Sequence, residues 1–404
     1  MVDLNAINAA LNSIAMGFED QYQVHASYQD GGGWGQYLDG PRRHRQIGLY
    51  GTSAGLLSLS LADRDDTPCT EGAVNLLSTW WRERENGYGK PKFCQNPRLA
   101  FFALCLRNTP NDITQQLALE VEEELIRRMS SKDQWGDYWV KKSVQDPSPR
   151  YLPTALSALC LCVCPPQTQQ VQSHLEKACG FLEQALVTNP ASLTTTEKGL
   201  IAAAIIAGCG SVKSRKAIQI LNDLAHQPEE ALSQHHTYPF EYIYAEDPPE
   251  FLWNRDLVVL YSEIMTGIAG FLPNAPTGLR LRAEAILRRV IHNISSEGGS
   301  FRPLQGGRVS SVEQAWCSVF LALAKQQIEH RTQGLGKFYY GLVRQRPPST
   351  LNDKIFPFSA IIATAAISAL PLTSIPFTIG KVLLSLVIFG LYGEKVIKRI
   401  FPGR

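Results

Sequence analysis

The sequence predicts an all-α chain, an (α/α)6 toroid in which six helical hairpins close into a ring, and three observations predict it. A glycine-rich turn carrying one aromatic residue precedes a helix of small apolar residues, and the pairing recurs along the chain. Helix starts aligned on that pairing fall at Thr52, Pro97, Pro153, Glu197, Arg255 and Glu313, spaced by roughly 44 to 58 residues. Amphipathic stretches lie between them, from Glu71 to Arg84, Asp112 to Met129 and Leu279 to Ile294. A period of that length marks stacked units that cannot bury their apolar faces singly.

The first unit is the clearest. Asp30-Gly31-Gly32-Gly33-Trp34-Gly35 leads to the run Gly51-Thr52-Ser53-Ala54-Gly55 and on through Leu56 to Leu61. Gly87-Tyr88-Gly89 leads to a helix beginning near Asn96-Pro97-Arg98, and Gln134-Trp135-Gly136 to one near Tyr151-Leu152-Pro153. Gly298-Gly299-Ser300-Phe301 leads to Ser311 and the apolar run that follows it. Two more helices, at Thr196-Glu197-Lys198 and Asn254-Arg255-Asp256, fit the register without a clear glycine turn. Upstream, residues 3–20 read as an amphipathic helix capped by Asp3 or Asn5, with Leu4, Ile7, Leu11, Ile14 and Met16 as its apolar stripe. That helix is expected to be the outer partner of the first inner one.

The repeats resemble the (α/α)6 toroid of the squalene-cyclase and protein-prenyltransferase superfamily, in which glutamine–tryptophan turns tie inner helices to outer ones. The resemblance covers most of residues 1–330, taken as the toroid domain. It implies fold far more strongly than activity, because one toroid hosts unrelated functions.

Composition narrows the classes. A chain of 404 residues with 44% hydrophobic content can fill one large core. A net charge of +2 and a pI near 8.0 argue against a nucleic-acid surface. Nine cysteines and an N-terminus reading Met1-Val2-Asp3-Leu4-Asn5, unlike a signal peptide, point to reduced thiols in the cytoplasm.

The helix register supplies the candidate ligand site. Its first positions place Arg98, Glu197, Lys198, Arg255, Asp256 and Glu313 around one mouth of the ring, with Trp34 and Tyr50 from the first unit. Arg42, Arg43 and Arg45 add concentrated positive charge at the same rim, either as a solvated loop or as an anion contact. Charges of both signs suit a polar small molecule better than a hydrocarbon. The competing reading is that these residues cap helices or pair with one another.

Asp63-Arg64-Asp65-Asp66 spells an Asp-x-Asp-Asp motif. It resembles that of class II terpenoid cyclases, whose middle aspartate acts as a general acid. The resemblance would make Asp65 the acid, with Asp63 and Asp66 in support, and Trp34, Tyr50, Trp253 and Trp316 as cation-stabilising aromatics. Here the motif follows its helix, however, and runs into Thr67-Pro68, a helix cap and first helical residue. Capping is the preferred reading, so no catalytic residue is favoured. No metal or cofactor is expected: Cys160, Cys162 and Cys164 diverge around a helix, His235 and His236 sit in a Pro- and Gln-rich loop, and no nucleotide-binding loop occurs.

Composition changes abruptly near the end. Residues 331–354 form a basic linker, and residues 355–404 read as a two-helix hairpin that crosses or enters a membrane. Basic flanks put the toroid and both termini on the cytoplasmic side of the cell inner membrane. The preferred function is therefore a membrane-anchored sensor or effector, similar in architecture to membrane-disrupting effectors of prokaryotic antiviral defence. Its partners would be the lipid membrane, further copies or a partner protein, and a polar ligand, with no nucleic acid. The alternatives are a membrane-associated isoprenoid enzyme, a terpenoid cyclase or prenyltransferase-like protein, and a scaffold.

Overall fold

The computed structural model describes residues 3–39, 45–84, 96–129, 151–163, 169–188, 191, 193, 195–209, 215–226, 264–272, 275, 277–302 and 309–344. Arg42, Arg43, Trp253, Arg255, Asp256, the histidine pair, Cys164, the linker beyond Arg344 and the hairpin at 355–404 lie outside the described residues. The chain divides into two compact units, Met1–Gln327 and Ile328–Arg404. Of the second, only a helix continuing to Arg344 is described.

The first unit is built from α1 (Leu4–Asp20), β1 (Gln23–His25), β2 (Tyr28–Gly33), α2 (Leu49–Leu61), α3 (Pro68–Arg82), α4 (Asn96–Asn108), α5 (Asp112–Arg128), α6 (Tyr151–Val163), α7 (Gln169–Thr188), α8 (Thr195–Cys209) and α9 (Arg215–His226). A helical segment over 264–271, α10 (Thr277–Ser296) and α11 (Ser311–Arg344) follow.

Helix starts follow their caps. Asp3 accepts from the Asn5 amide at α1, Thr67 from the Thr70 amide at α3, and Asn111 from the Ile113 amide at α5. Pro68 opens α3, where its missing N–H costs nothing.

Two classes of helix result. In α2 every residue from Gly51 to Ser60 is buried, and in α4 every residue from Leu99 to Leu106. A helix that is apolar around its whole circumference has to be enclosed on every side. The enclosed helices α2, α4, α6 and α8 pack in sequence, each against the next, and α3, α5, α7 and α9 pack on them one by one. These outer helices bury only one face: α5 buries Leu117, Val121 and Leu125 and exposes Ile113 and Leu119. The α4–α5 pair is fixed by Arg107, which makes two hydrogen bonds of 2.6 and 2.5 Å to the nearly buried Glu122.

The inner helices run parallel. Tyr50 near the start of α2 meets Phe101 of α4, while Ser60 near its end donates to Thr109 just past α4. Trp316 near the start of α11 meets Phe101 as well, so the first turns of α2, α4 and α11 face one end of the ring.

Trp34 holds the first unit to the last. It is fully buried, and its Nε1 donates to the Phe18 carbonyl at 2.6 Å. Its ring meets Phe18 and Tyr22 edge-on at 5.6 and 5.3 Å. Gly55 makes room for it, since a Cβ there would lie 2.3 Å from the indole. The chain just beyond Trp34 then grips the start of α11. The Ser311 amide donates to Gln36 and its hydroxyl to Gly35, at 2.9 and 2.6 Å, and the Leu38 amide donates to Val309 at 2.9 Å. Asp39 accepts from the Val309 amide and pairs with Arg302. Residues some 270 positions apart are joined here, which is how this side of the ring is shut.

One expectation needs correcting, and two features go beyond the sequence reading. Met16 is exposed, and Ala10, Ala15 and Phe18 complete the buried stripe of α1 instead. Outer helix α1 contacts α10 as well as α2, so it bridges two units. The antiparallel hairpin of β1 and β2, pairing Gln23 with Gly33 and Val24 with Gly32, was not expected, because a strand ending in three glycines lacks the β-branched residues that announce one.

Replacing Trp34 by alanine is expected to lower unfolding free energy by about 3–5 kcal/mol. Phenylalanine should cost less, losing the Nε1 bond but keeping most of the packing. Urea denaturation of the three proteins checks this, and an alanine cost under about 1 kcal/mol would show that the clasp does not depend on Trp34.

Candidate functional site

The stretches of sequence between successive helices differ in length. Connections from an inner helix to its outer partner are brief: residues 62–67, 109–111, 164–168 and 210–214. At the end bearing the inner N-termini they include 83–95, 129–150 and 297–310. Long connections carried by a rigid scaffold are where binding and catalytic groups concentrate. The mouth at the inner N-termini is therefore the candidate site.

Its described part is an aromatic cluster with charge beside it. The Tyr50 ring is half-buried and lies 5.3 Å from Phe101, which lies 5.8 Å from Trp316. These three rings come from α2, α4 and α11, so they meet on the inward side of α2. The Arg98 guanidinium stands 5.5 Å over Tyr50, close enough for a cation–π attraction. Glu313, in the first turn of α11, is 4% exposed and precedes Trp316 by one turn. A helix N-terminus favours its negative charge. Burial, and after it the Glu313 charge, push the Cys317 thiol well above its ordinary range.

Gln314 does a different job. Its amide donates to the Phe301 carbonyl and accepts from the Phe301 amide, at 2.7 and 2.8 Å, fixing the turn before α11. Further in, among the described residues, more aromatic rings are buried. Phe101, Phe102, Trp316 and Phe320 are almost completely buried, and Phe271 stacks on Phe320 at 5.5 Å. Among the described residues, the hydroxyls of Ser53, Ser58 and Ser157 are buried without a hydrogen-bond partner.

The residues singled out from sequence separate into groups. Tyr50, Arg98 and Glu313 come together at the mouth. Lys198 is partly exposed in the first turns of α8, and Glu197 precedes it there by backbone position. Trp34 is sealed beneath the surface and serves packing. Arg45 turns to the end of α1, where its Nη1 donates to Gln21 at 3.3 Å. Phe101, the ring that joins Tyr50 to Trp316, was not singled out: inside an apolar run nothing distinguishes it.

The acidic motif lies at the opposite end. Asp63 is strongly exposed, has a left-handed backbone (φ 58°) and pairs with Lys325 at 3.1 Å. Arg64 pairs with Glu19, and Thr67 caps α3. Asp65 and Asp66 line a cleft of about 470 Å³ with Thr67, Thr70, Glu71, Asn75 and Asn111. Burial chiefly raises the Asp65 pKa, with repulsion from Asp63 and Asp66 adding to it and a hydrogen bond from Ser60 opposing it. Among the described residues no group of three or more His, Cys, Asp or Glu could hold a metal ion.

The sequence matches no protein-family model and no curated protein. Solved structures do resemble it. The GH76A alpha-1,6-mannanase from Salegentibacter sp. HEL1_6 aligns with a TM-score of 0.52 at 15% identity, covering 79% of this chain and 99% of that one. An inactive variant of the same enzyme, in complex with alpha-1,6-mannotriose, aligns at 0.51 and 14%, covering 80% and 99%. A second inactive variant, in complex with alpha-1,6-mannotetrose, aligns at 0.53 and 14%, covering 81% and 100%. Both variants carry replacements at two consecutive aspartates.

The chain has an α/α toroid fold. The likeness is to glycoside hydrolases and not to the squalene cyclases, so the fold expected from the glycine turns holds while its cyclase attribution does not. The reading as a membrane-anchored sensor or antiviral effector is overturned by the same finding, and so is the terpenoid-cyclase alternative. Among the described residues no helix is long and apolar enough to cross a membrane. The cyclase reading also fails on geometry, since Asp65 is far from the aromatic interior it was expected to serve.

The raised Asp65 pKa makes a stability prediction. The folded state holds this proton more tightly than the unfolded chain, so stability falls as pH rises through the window above the ordinary aspartate range. Asp65→Asn, a mimic of the protonated form, should therefore stabilise the protein at pH 7 and lose that advantage below pH about 4. Denaturant titrations of both proteins at the two pH values check it. An equal difference at both would mean that the Asp65 charge is not the cause.

Proposed function

We propose that the chain is a carbohydrate-processing enzyme that draws an α-linked oligosaccharide into the ring mouth and hydrolyses a glycosidic bond there. The observation that carries this reading is the half-buried Tyr50 ring, backed by Phe101 and Trp316, with the Glu313 carboxylate one turn from Trp316. An aromatic face takes the apolar C–H face of a sugar, and the polar rim takes its hydroxyls. Hydrolysis of a glycoside generally uses two carboxylates. Glu313 supplies one, and Glu197 in the first turn of α8 is the second candidate from an inner helix. The solved mannanases lend the substrate class: a manno-oligosaccharide chain joined through α-1,6 bonds.

A second reading of the same activity puts the chemistry at the short-loop end. There Asp65, with its raised pKa, would donate the proton and Asp66 would act as the ionised partner. The consecutive-aspartate replacements in the inactive mannanases favour it. The long connections and the aromatic platform favour the mouth.

One series of assays separates them. The full chain is incubated with α-1,6-mannotetraose and a panel of α-linked manno-oligosaccharides, and new reducing ends are counted. Under the mouth reading Glu313→Gln lowers kcat by about 10²–10⁴-fold, and Tyr50→Ala raises KM by about tenfold. Asp65→Asn and Asp66→Asn then leave turnover intact; the second reading predicts the reverse. No new reducing ends across the panel would overturn both.

A further inference from the structure

A pair of thiols near the C-terminal ends of the inner helices belongs to neither site. A Cβ built on Gly208 of α8 would lie 2.6 Å from the Cys179 Sγ and 2.9 Å from the Cys162 Sγ. Both sulfurs therefore press on the same bare backbone position, one from α6 and one from α7. Their separation cannot exceed the sum of those two distances. Both thiols are free, Cys179 being completely buried and Cys162 partly exposed. The Cys179 Sγ also approaches the Ala204 carbonyl at 3.9 Å, one helical turn before Gly208.

We propose that Cys162 and Cys179 are an oxidation-sensitive dithiol that closes to a disulfide when a hydroperoxide reaches Cys162. The chemistry follows the difference in exposure. The Cys162 thiolate attacks the near oxygen of hydrogen peroxide. The O–O bond breaks, the leaving hydroxide takes up the proton that the Cys162 thiol had released and departs as water, and Cys162 becomes a sulfenic acid. Cys179 then attacks that sulfur, the S–O bond breaks, and the Cys179 proton leaves with the hydroxyl as a second water. Two thiols are oxidised by two electrons, and one peroxide is reduced to two waters.

Gly208 is the element that permits it. Any side chain there would stand between the two sulfurs and hold them off the short S–S bond that a disulfide requires. The bridge would join an inner helix to the outer helix that follows it, across the 164–168 connection. The α6–α7 hairpin would then be locked as one body, and α6 in turn packs on α4 and α8. Cys105 and Cys160, by contrast, are completely enclosed, and burial raises their pKa far out of the reactive range.

The test uses the intact chain. Folded protein is treated with hydrogen peroxide, remaining thiols are alkylated, and peptides are mapped before and after reduction by a dithiol. The expected result is a reducible link between the peptides containing Cys162 and Cys179, absent from Cys162→Ser and Cys179→Ser but present in Cys160→Ser. Gly208→Ala should slow its formation at least tenfold while circular dichroism stays unchanged. If that variant does not fold, the serine variants alone decide. Full alkylation of both cysteines after peroxide, or a link that survives Cys162→Ser, overturns the proposal.

Discussion

One indole holds the first unit of this ring in register with the last. Trp34 is buried between Phe18, Tyr22 and the bare backbone of Gly55, with its one polar atom satisfied by the Phe18 carbonyl. That position fixes the chain beyond it, so that Gly35 and Gln36 meet Ser311 while Asp39 meets Arg302 and Val309. A helical ring needs such a clasp because its first and last units are far apart in sequence, and joining them carries a large loop-closure entropy. Hydrogen bonds between backbone groups are well suited to the task, since each also satisfies a polar group that would otherwise be buried alone. The mouth inherits its geometry from this join: Trp316 reaches Phe101 only because α11 is held beside α2.

Much of this was legible in the sequence. A tryptophan among glycines, followed by a helix of small residues, has few physical solutions other than a tight turn against a close-packed helix. The apolar runs of α2 and α4 announced helices enclosed on all sides, and the outer helices announced themselves by their stripes. Aligned starts at Thr52, Pro97, Pro153 and Glu313 fall within three residues of the observed ones. Illegible features depend on distant partners. Nothing local to Asp39 or Arg302 predicts that they meet across 263 residues, and Tyr28-Gln29-Asp30 does not look like a strand until the glycines beyond it pack on α3. Register put Glu313 among the candidates and Tyr50 entered as an aromatic of the first unit, whereas Phe101 looked like any core residue.

The fate of Asp63–Asp66 shows why position decides the meaning of a motif. The same four letters mark an acid in a dry cavity when they open an inner helix. Here they close one, where the chain must reverse and enter α3. Asp63 takes the left-handed conformation that the reversal needs, which aspartate tolerates better than most residues. Thr67 caps the next helix, and Arg64 and Asp63 bind neighbouring elements. Only Asp65 and Asp66 are left facing a cleft, and Asp65 is the carboxylate whose ionisation the fold penalises.

The described interior of the ring is rich in buried aromatic rings. Phe101 lies against Trp316 and Phe271 stacks on Phe320, so four rings from α4, α11 and the 264–271 segment are buried beneath the described part of the mouth. The described part of the mouth presents the face of Tyr50 beside the first turns of α2, α4 and α11. On the reading proposed above, an extended polymer that presents alternating apolar faces and hydroxyls fits such a platform, because it can rest on the rings. A compact hydrocarbon, which needs enclosure on all sides to shed its water, does not. On that reading, the packing that places these rings at the end of the core also sets the shape of what binds there.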